Sequence, residues 1–270
     1  MTQHGTNAGG SQSARLYVLD CGKISGVTSA EFGFKKGELS PEMATPCYLI
    51  VHPKGLLMWD TGEIPDSEID GDGTIVRKRS FTVTRRLRDQ LVEIGYVPED
   101  VRYLALSHYH NDHVANANMF SGSTWLVQRA EHDAMFDPAP NFERFGPITP
   151  DQRFFSELAQ SKTILIENCD HDVFGDGRVV IKFTPGHTAG HQSLFVDLDE
   201  SGPILITGDL YHFYEEVNRP ASFVNHVSNP LTTSTRRTIE AFVNRVGADM
   251  WIPHDIRRAP SFRKSPDFYS

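Results

Sequence analysis

Four side chains that can bind a metal ion fall within six residues of this chain. They are His108, His110, Asp112 and His113. His108 and His110 are two positions apart, so they point the same way in extended backbone. Imidazole and carboxylate groups together suit Zn²⁺ or a similar first-row ion. A lone histidine is usually a solvated side chain, but packing gains nothing from this many polar groups directly after an apolar strand. We therefore predict a metal site here.

Three more polar residues each follow an apolar, strand-like segment. They are His187 after 179–185, Asp209 after 204–207 and His254 after 250–253. An aspartate after glycine is by itself usually turn chemistry, but the joint pattern predicts loops that converge at one edge of a fold. Seven ligands are too many for one tetrahedral ion and fit two ions that share a carboxylate. Such a pair, about 3.5–4 Å apart, can hold a bridging hydroxide and polarise a substrate oxygen, which is the chemistry of hydrolysis.

The elements that must position these residues are predicted from hydrophobic periodicity. Strands are expected at 15–21, 47–52, 56–60, 101–106, 124–128, 163–167, 178–183, 193–197, 203–207 and 249–253. Helices are expected around Leu87 to Ile94, which Gly95 ends, and at 112–120, 129–136, 151–160 and 232–246. Residues 22–46 are predicted to be a long loop, 63–79 a polar flap over a site, and 137–150 a loop rich in proline and phenylalanine. Strand clusters with interspersed helices indicate two sheet-forming halves.

The composition bounds the partners of the chain. Its 270 residues are 39% apolar, enough for a substantial core, and the formal net charge is −9. Nucleic acid is not expected as a partner, because phosphate binding needs clustered cations. No apolar run approaches the ~20 residues needed to cross a bilayer. Residues 1–14 are polar and predict a disordered tail, and residues 15–270 a single domain.

The three cysteines, Cys21, Cys47 and Cys169, are odd in number and widely spaced. They predict neither a disulfide framework nor a Cys-x-x-Cys metal site. A reducing, cytoplasmic location is the resulting expectation.

Taken together, the motifs resemble the metallo-β-lactamase superfamily. Five blocks appear in the order typical of that family: 60–62 (Asp-Thr-Gly), the histidine cluster, 184–187 (Thr-Pro-Gly-His), 208–209 (Gly-Asp) and His254. The resemblance implies an α/β fold, a four-layer αβ/βα sandwich of two mixed β-sheets flanked by helices. It also implies two divalent metal ions, zinc first, with Co, Mn and Fe as alternatives.

The resemblance implies a role for each ligand. One ion would take His108, His110 and His187, and the other Asp112, His113 and His254. Asp209 would bridge the two ions. Asp60 would orient a ligand from outside, as such partners generally do. His191 is expected to be buried or an outer partner rather than a ligand, whereas His52, His132, His171 and His226 are expected to have no role in the site.

The closest resemblance within the superfamily is to N-acyl homoserine lactone lactonases, the quorum-quenching enzymes. True β-lactamases lack the bridging aspartate, and flavin-linked members would carry a glutamate in the cluster. The well-known lactonases have a tyrosine three residues after the bridging aspartate, where this chain has His212, with Tyr211 and Tyr214 beside it. The resulting hypothesis is that a bridging hydroxide attacks the lactone carbonyl, His212 or Tyr211 donates to the oxyanion, and Asp112 carries a proton.

Six phenylalanines are candidates for an apolar acyl pocket: Phe32, Phe34, Phe142, Phe145, Phe213 and Phe223. Two alternatives stay open. The same ions could cleave another ester, thioester, phosphotriester or small lactone, with Arg257, Arg258, Arg263 and Lys264 leaving a thioesterase-type binding segment open. The metal could also be purely structural, which requires a closed coordination shell. The sequence leaves open whether the chain forms a homodimer.

Overall fold

Within the residues that the structure describes, fifteen strands, β1 to β15 in chain order, build the sheets. A computed structural model describes residues 13–69, 74–76, 80–136 and 148–270. The strands are Arg15–Leu19, Lys23–Ser25, Glu42–Ala44, Cys47–His52, Gly55–Trp59, Thr74–Val76, Ser80–Thr82, Val101–Ala105, Thr124–Gln128, Thr163–Ile166, His171–Asp172, Val179–Phe183, Gln192–Leu198, Gly202–Ile206 and Asp249–Trp251.

Two principal sheets result, and both are mixed. The first has six strands in the order β1-β4-β5-β8-β9-β10. Its β1, β4 and β5 pair antiparallel, whereas β5, β8, β9 and β10 run parallel. The second has five strands in the order β11-β12-β13-β14-β15, and only the pairing of β14 with β15 is parallel. The strands predicted at 47–52 and 56–60 are confirmed as β4 and β5, which pair antiparallel as a hairpin.

Four helices of the described ranges complete the layers: α1 at Leu87–Glu93, α2 at Asn111–Val114, α3 at Arg129–Phe136 and α4 at Asn229–Val246. Buried side chains of the first sheet, such as Ile50, share a core with those of the second, such as Ile181. On its outer face the first sheet packs against α1 and α3, and the second sheet packs its outer face against Ile239 and Phe242 of α4. This is the predicted four-layer αβ/βα sandwich.

The longest helix, α4, has clear start and stop signals. The Ser228 side chain accepts a hydrogen bond from the backbone N–H of Leu231, which satisfies one free donor of the first turn. Gly247 ends the helix in the left-handed conformation with φ of 68°, which glycine adopts at little cost. The helix begins three residues earlier than its apolar stripe predicts, because the capping serine and Pro230 lie before the first apolar position.

Three local predictions are wrong. The segment 22–46 contains β2 and β3, which join β7 and β6 in a third sheet of four strands. Strands of three residues are too short to show an alternating pattern, so the sequence does not reveal them. Residues 151–160 form two 3-10 turns, Gln152–Phe154 and Ser156–Gln160, rather than one helix. The helix predicted at 112–120 is α2 followed by a 3-10 turn at Ala117–Phe120.

The expectation of unpaired cysteines is also corrected, because Cys21 and Cys47 form a disulfide with a Cα–Cα distance of 5.8 Å. The pairing register places Leu19 opposite Cys47, so the chain beyond β1 brings Cys21 beside it. Residues 26 positions apart show no such proximity in the sequence. This removes the reason for predicting a reducing compartment. Cys169 is free and exposed.

Some predictions fall on residues outside the described ranges. These are most of the tail, 1–12, parts of the flap, 70–73 and 77–79, and the loop residues 137–147 with Phe142 and Phe145. Ala14, at the end of the predicted tail, is buried. Within the described residues, no helix has the length and apolar character that crossing a membrane requires.

Candidate metal centre

The strands that precede the predicted ligands end at one edge of the sandwich. β12 and β14 are both antiparallel to β13, so they run in the same direction, and β15 is parallel to β14. His187, Asp209 and His254 therefore leave the second sheet on the same side. The segment after β8 leaves the first sheet opposite them and carries the histidine cluster.

The first group of ligand atoms consists of His108, His110, His187 and Asp209, whose ligand atoms all lie within 4.8 Å of one another. Nε2 of His187 is 3.1 Å from Nε2 of His108 and 3.0 Å from Nδ1 of His110. The same nitrogen is 3.3 Å from Oδ2 of Asp209. Three ring nitrogens and one carboxylate oxygen thus point at a common centre.

The second group consists of Asp112, His113, His254 and, again, Asp209. Oδ1 of Asp209 lies 3.1 Å from Nε2 of His113 and 2.9 Å from Nε2 of His254. Oδ2 of Asp112 is 3.4 Å from each of those two nitrogens. Asp209 therefore gives one oxygen to each group, which is the geometry of a bridging carboxylate.

In the second group, Nδ1 of each histidine contacts the surrounding protein, and this contact orients the ring so that Nε2 points to the other ligands. Nδ1 of His254 is 2.6 Å from the backbone oxygen of Ala44. A carbonyl oxygen can only accept, so Nδ1 carries the proton and Nε2 presents a lone pair. Nδ1 of His113 is 2.9 Å from Oδ2 of Asp60, which orients this ring in the same way.

Asp60 is held in an uncommon conformation to make that contact. Its φ is 58°, in the left-handed region, which a non-glycine residue adopts only when its surroundings impose it. Its other oxygen, Oδ1, accepts a hydrogen bond of 2.6 Å from the backbone N–H of Ser107. One buried carboxylate thus fixes both the start of the histidine cluster and the ring of His113.

The donor set fits metal ions rather than a hydrogen-bonded cluster. Nε2 of His113, Nε2 of His254 and Oδ1 of Asp209 are buried and have no hydrogen-bond partner among the described residues. Such an arrangement costs free energy unless something else satisfies these atoms. Burial lowers the pKa of His108 and of His187 well below the usual histidine value. It also lowers the pKa of His110 to about 4. These rings are neutral at pH 7 and available as ligands.

The second group has a strongly negative environment. Burial opposes protonation of His113, but Asp112, Asp209 and Asp60 together raise its pKa well above the usual value. Burial alone would raise the pKa of Asp209, yet His254 and His113 lower it well below the usual range. The same carboxylates that stabilise positive charge on His113 in the metal-free protein would also stabilise a bound cation.

His191 is an outer partner, as expected. It is fully buried, and its Nε2 accepts a hydrogen bond of 3.0 Å from the backbone N–H of Asp209. Gly208 makes this approach possible, because a Cβ at that position would lie 2.8 Å from Nε2 of His191. His191 therefore locates the bridging residue through its backbone.

The two residues predicted to donate to substrate lie in different surroundings. His212 is buried, its Nε2 is 3.3 Å from Oδ2 of Asp209, and it lines the cavity beside the ligands. The Tyr211 hydroxyl instead donates to Oε1 of Glu240 at 2.7 Å, and its ring packs with Ile239 and Leu205 beneath α4. Tyr211 is thus directed away from the ligand groups in this structure.

Sequence reasoning missed several residues that hold the site. The expectation that His226 has no role is wrong, since its Nδ1 lies 2.9 Å from Nδ1 of His187. Glu216 is buried behind His212, accepts hydrogen bonds from the backbone N–H groups of His212 and Phe213, and pairs with Arg236 at 2.7 Å. These residues lie outside every strand-end motif, so no spacing pattern points to them.

A cavity of about 170 Å³ opens beside both ligand groups. Its wall combines polar and apolar side chains from all three sheets and their loops: Ile24, Met43, Glu63, Phe81, His110, Asn111, Asp112, Ile148, Asp209, His212, Phe223 and Asn225. Of the predicted acyl-pocket residues, Phe223 lines it. Phe32 and Phe213 are instead core residues that pack against Phe223.

Known proteins match the chain over nearly its whole length. The family model described as the metallo-beta-lactamase superfamily matches residues 41–246. Relatives named N-acyl homoserine lactonase AttM, from Azorhizobium caulinodans and Rhizobium johnstonii, are 31% and 32% identical, covering 94% and 95% of this chain and 98% of each relative. A solved N-acyl homoserine lactone hydrolase with N-hexanoyl-L-homoserine bound at its catalytic metal center has a TM-score of 0.76 and 26% identity, covering 94% of this chain and 98% of that one.

Proposed function

The chain belongs to the metallo-beta-lactamase superfamily, and we propose that it is a dinuclear metal-dependent hydrolase that opens the ester ring of N-acyl homoserine lactones. The observation that carries the proposal is the position of Asp209, whose two oxygens point into two separate ligand groups. The relatives named N-acyl homoserine lactonases support the choice of substrate class. Two Zn²⁺ ions are the proposed metals, because the donors are imidazole and carboxylate.

When bound, two such ions supply a hydroxide nucleophile at neutral pH and polarise the ester carbonyl. The contribution of the protein is geometric. His108, His110 and His187 converge from two sheets, and Asp209 fixes the spacing of the two groups. Since these ligands are buried and their outer partners are fixed, little reorganisation accompanies the reaction.

His212 is the proposed donor to the substrate oxygen. Its ring lines the cavity and is held between Phe223, at 4.4 Å between ring centroids, and His254, at 5.7 Å. Glu216 lies behind it, with Oε2 3.5 Å from Nδ1. Asp112 is proposed to carry a proton to the leaving alkoxide, because its side chain is 16% exposed and borders the same cavity.

A second candidate is hydrolysis of a different ester, and His212 is the observation that favours it. The quorum-quenching enzymes that the chain resembles have a tyrosine at this position. An imidazole donates from a different place in the cavity, so the preferred substrate could be an aryl ester, thioester, phosphotriester or another small lactone.

A substrate panel with protein containing two equivalents of Zn²⁺ tests the proposal. We expect hydrolysis of short- and long-chain N-acyl homoserine lactones to exceed that of the other ester classes. His110→Ala should abolish turnover, since it removes a first-group ligand. Unchanged lactone turnover in metal-replete His110→Ala would contradict the mechanism, and faster hydrolysis of another ester would reassign the substrate.

A further inference from the structure

Glu131 is a buried carboxylate that none of the ligand motifs includes. It lies in the first turn of α3 and is 2% exposed. Its Oε1 accepts a hydrogen bond of 2.9 Å from the backbone N–H of Tyr109. Its Oε2 accepts from the Thr188 hydroxyl at 2.7 Å and from the backbone N–H of Gly190 at 2.9 Å. Burying a carboxylate costs free energy unless hydrogen bonds replace its lost hydration, and these three bonds do so.

Two of these three donors are next to a residue of the first group, and the third is next to His191, which supports that group. Tyr109 lies between His108 and His110, and Thr188 directly follows His187. Gly190 directly precedes His191, which holds the backbone of Asp209. One carboxylate therefore holds together the loop with His108 and His110 and the loop with His187 and His191. These loops carry three of the four first-group ligands and the histidine that holds the backbone of the fourth.

The chain is also shaped to bring these loops to α3. A Cβ at position 190 would lie 2.3 Å from the backbone nitrogen of Glu131 and 2.6 Å from its Cβ. Only glycine allows this approach. The helix and the loop after His187 are consequently in direct contact at the point where Glu131 accepts its bonds.

We propose that Glu131 is the positioning residue of the first ligand group, so that ion binding by this group depends on it more strongly than ion binding by the second. The inference rests on the metal-binding part of the proposed function and not on the choice of substrate. The second group has its own support, since Asp60 orients His113, whereas Glu131 bonds the sequence neighbours of His108, His110 and His187.

Glutamine is the sharpest replacement, because it keeps the size of the side chain. Its amide has one oxygen and an NH₂ group that only donates. With three donors around it, Glu131→Gln must leave the N–H of Tyr109 or that of Gly190 facing another donor. A buried donor without an acceptor is unfavourable, so at least one of the two loops should move.

The test is a metal titration of the purified protein, followed by mass-spectrometric metal content after desalting. Wild type should hold two equivalents of Zn²⁺. Glu131→Gln should bind one of them roughly 10- to 100-fold more weakly, the cost typical of losing an outer partner. Asp60→Asn should weaken the other, and the double variant should weaken both. In Co²⁺-loaded protein, the visible absorption of the two single variants should differ, because different coordination shells are disturbed.

Two further variants separate positioning from folding. Thr188→Val removes one of the three bonds and preserves shape, so it should weaken the same ion as Glu131→Gln by a smaller factor. Glu167→Gln removes an exposed carboxylate that pairs with Arg129 at the start of α3, and it should bind both ions as wild type does. Thermal unfolding of the metal-free proteins identifies any variant that does not fold.

Full affinity for both ions in Glu131→Gln would overturn the inference, and so would an equal loss of affinity for both ions in that variant. Wild-type protein that binds a single equivalent would instead overturn the proposed dinuclear centre. The two failures are therefore distinguishable.

Discussion

The two ligand groups share Asp209 but differ in charge and in support. Apart from the shared carboxylate, the first group is three neutral imidazoles, all buried, with Glu131 and His226 behind them. The second contains another carboxylate, Asp112, which is partly exposed to the cavity. Its histidines are oriented by Asp60 and by the backbone oxygen of Ala44.

The difference indicates a division of labour within one centre. A rigid group of neutral ligands leaves more of an ion's charge available to polarise a substrate oxygen. A group with an added carboxylate at the cavity wall has a residue that can carry a proton. The predictions below test whether each group binds its metal ion independently of the other.

Asp209→Asn should have the largest effect, because it alters both groups. The amide has one oxygen for two positions and places a donor where the other ion should bind. We expect the affinity for both ions to fall by more than the roughly 10- to 100-fold typical of an outer partner, as measured by metal content and chelator competition. Retention of one tightly bound ion would mean that Asp209 serves a single group.

His187→Ala and His254→Ala should each remove one ion and leave the other. Each imidazole belongs to one group only and lies at the end of its own strand. Metal content near one equivalent for each variant, with different Co²⁺ absorption spectra, is the expected result. Loss of both ions in either variant would show that the groups assemble only together.

The pH dependence of metal binding should also differ between the groups. In the metal-free protein, carboxylates raise the pKa of His113 well above its usual value, so a proton must leave before a second-group ion binds. Affinity for that ion should therefore rise with pH through neutrality, by up to about tenfold per pH unit. The first-group rings, with lowered pKa values such as about 4 for His110, should bind independently of pH above about 5. Titrations at several pH values check this, and equal slopes would break the comparison.

Replacing His226 should have the smallest effect. Its Nδ1 faces Nδ1 of His187, so it is the acceptor for the proton of that ligand. His226→Phe should weaken only the first-group ion, by about tenfold, whereas His226→Gln, which keeps an acceptor oxygen, should recover part of the loss. Equal affinities in the two variants would exclude this hydrogen bond as the cause.

Much of the centre could be predicted because its ligands follow strands. Strand ends are visible in the sequence as apolar runs, and His108, His187, Asp209 and His254 each lie three or four residues after the end of a strand. Asp60, which directly follows β5, could be predicted in the same way. The strands β2 and β3 could not be predicted, since three residues are too few to show an alternating hydrophobic pattern.

The supporting residues could not be predicted. Glu131 and His226 lie on a helix and a loop whose sequences resemble ordinary surface segments, and their partners are between 22 and 59 positions away. Tyr211 shows the converse. It is next to His212 in sequence, but the backbone directs its ring under α4, where its hydroxyl donates a hydrogen bond to Glu240.

By itself the sequence determined which chemistry is available: imidazoles and carboxylates placed after apolar strands, in an order typical of one superfamily. The resemblance to that superfamily implied how the ligands divide into two groups around Asp209. Only the tertiary structure decided which buried residues lie behind each group, among them Asp60, Glu131 and His226. The physical reason is that strand propensity and hydrophobic pattern are local. The pairing of a buried polar atom with its partner depends on where distant segments meet.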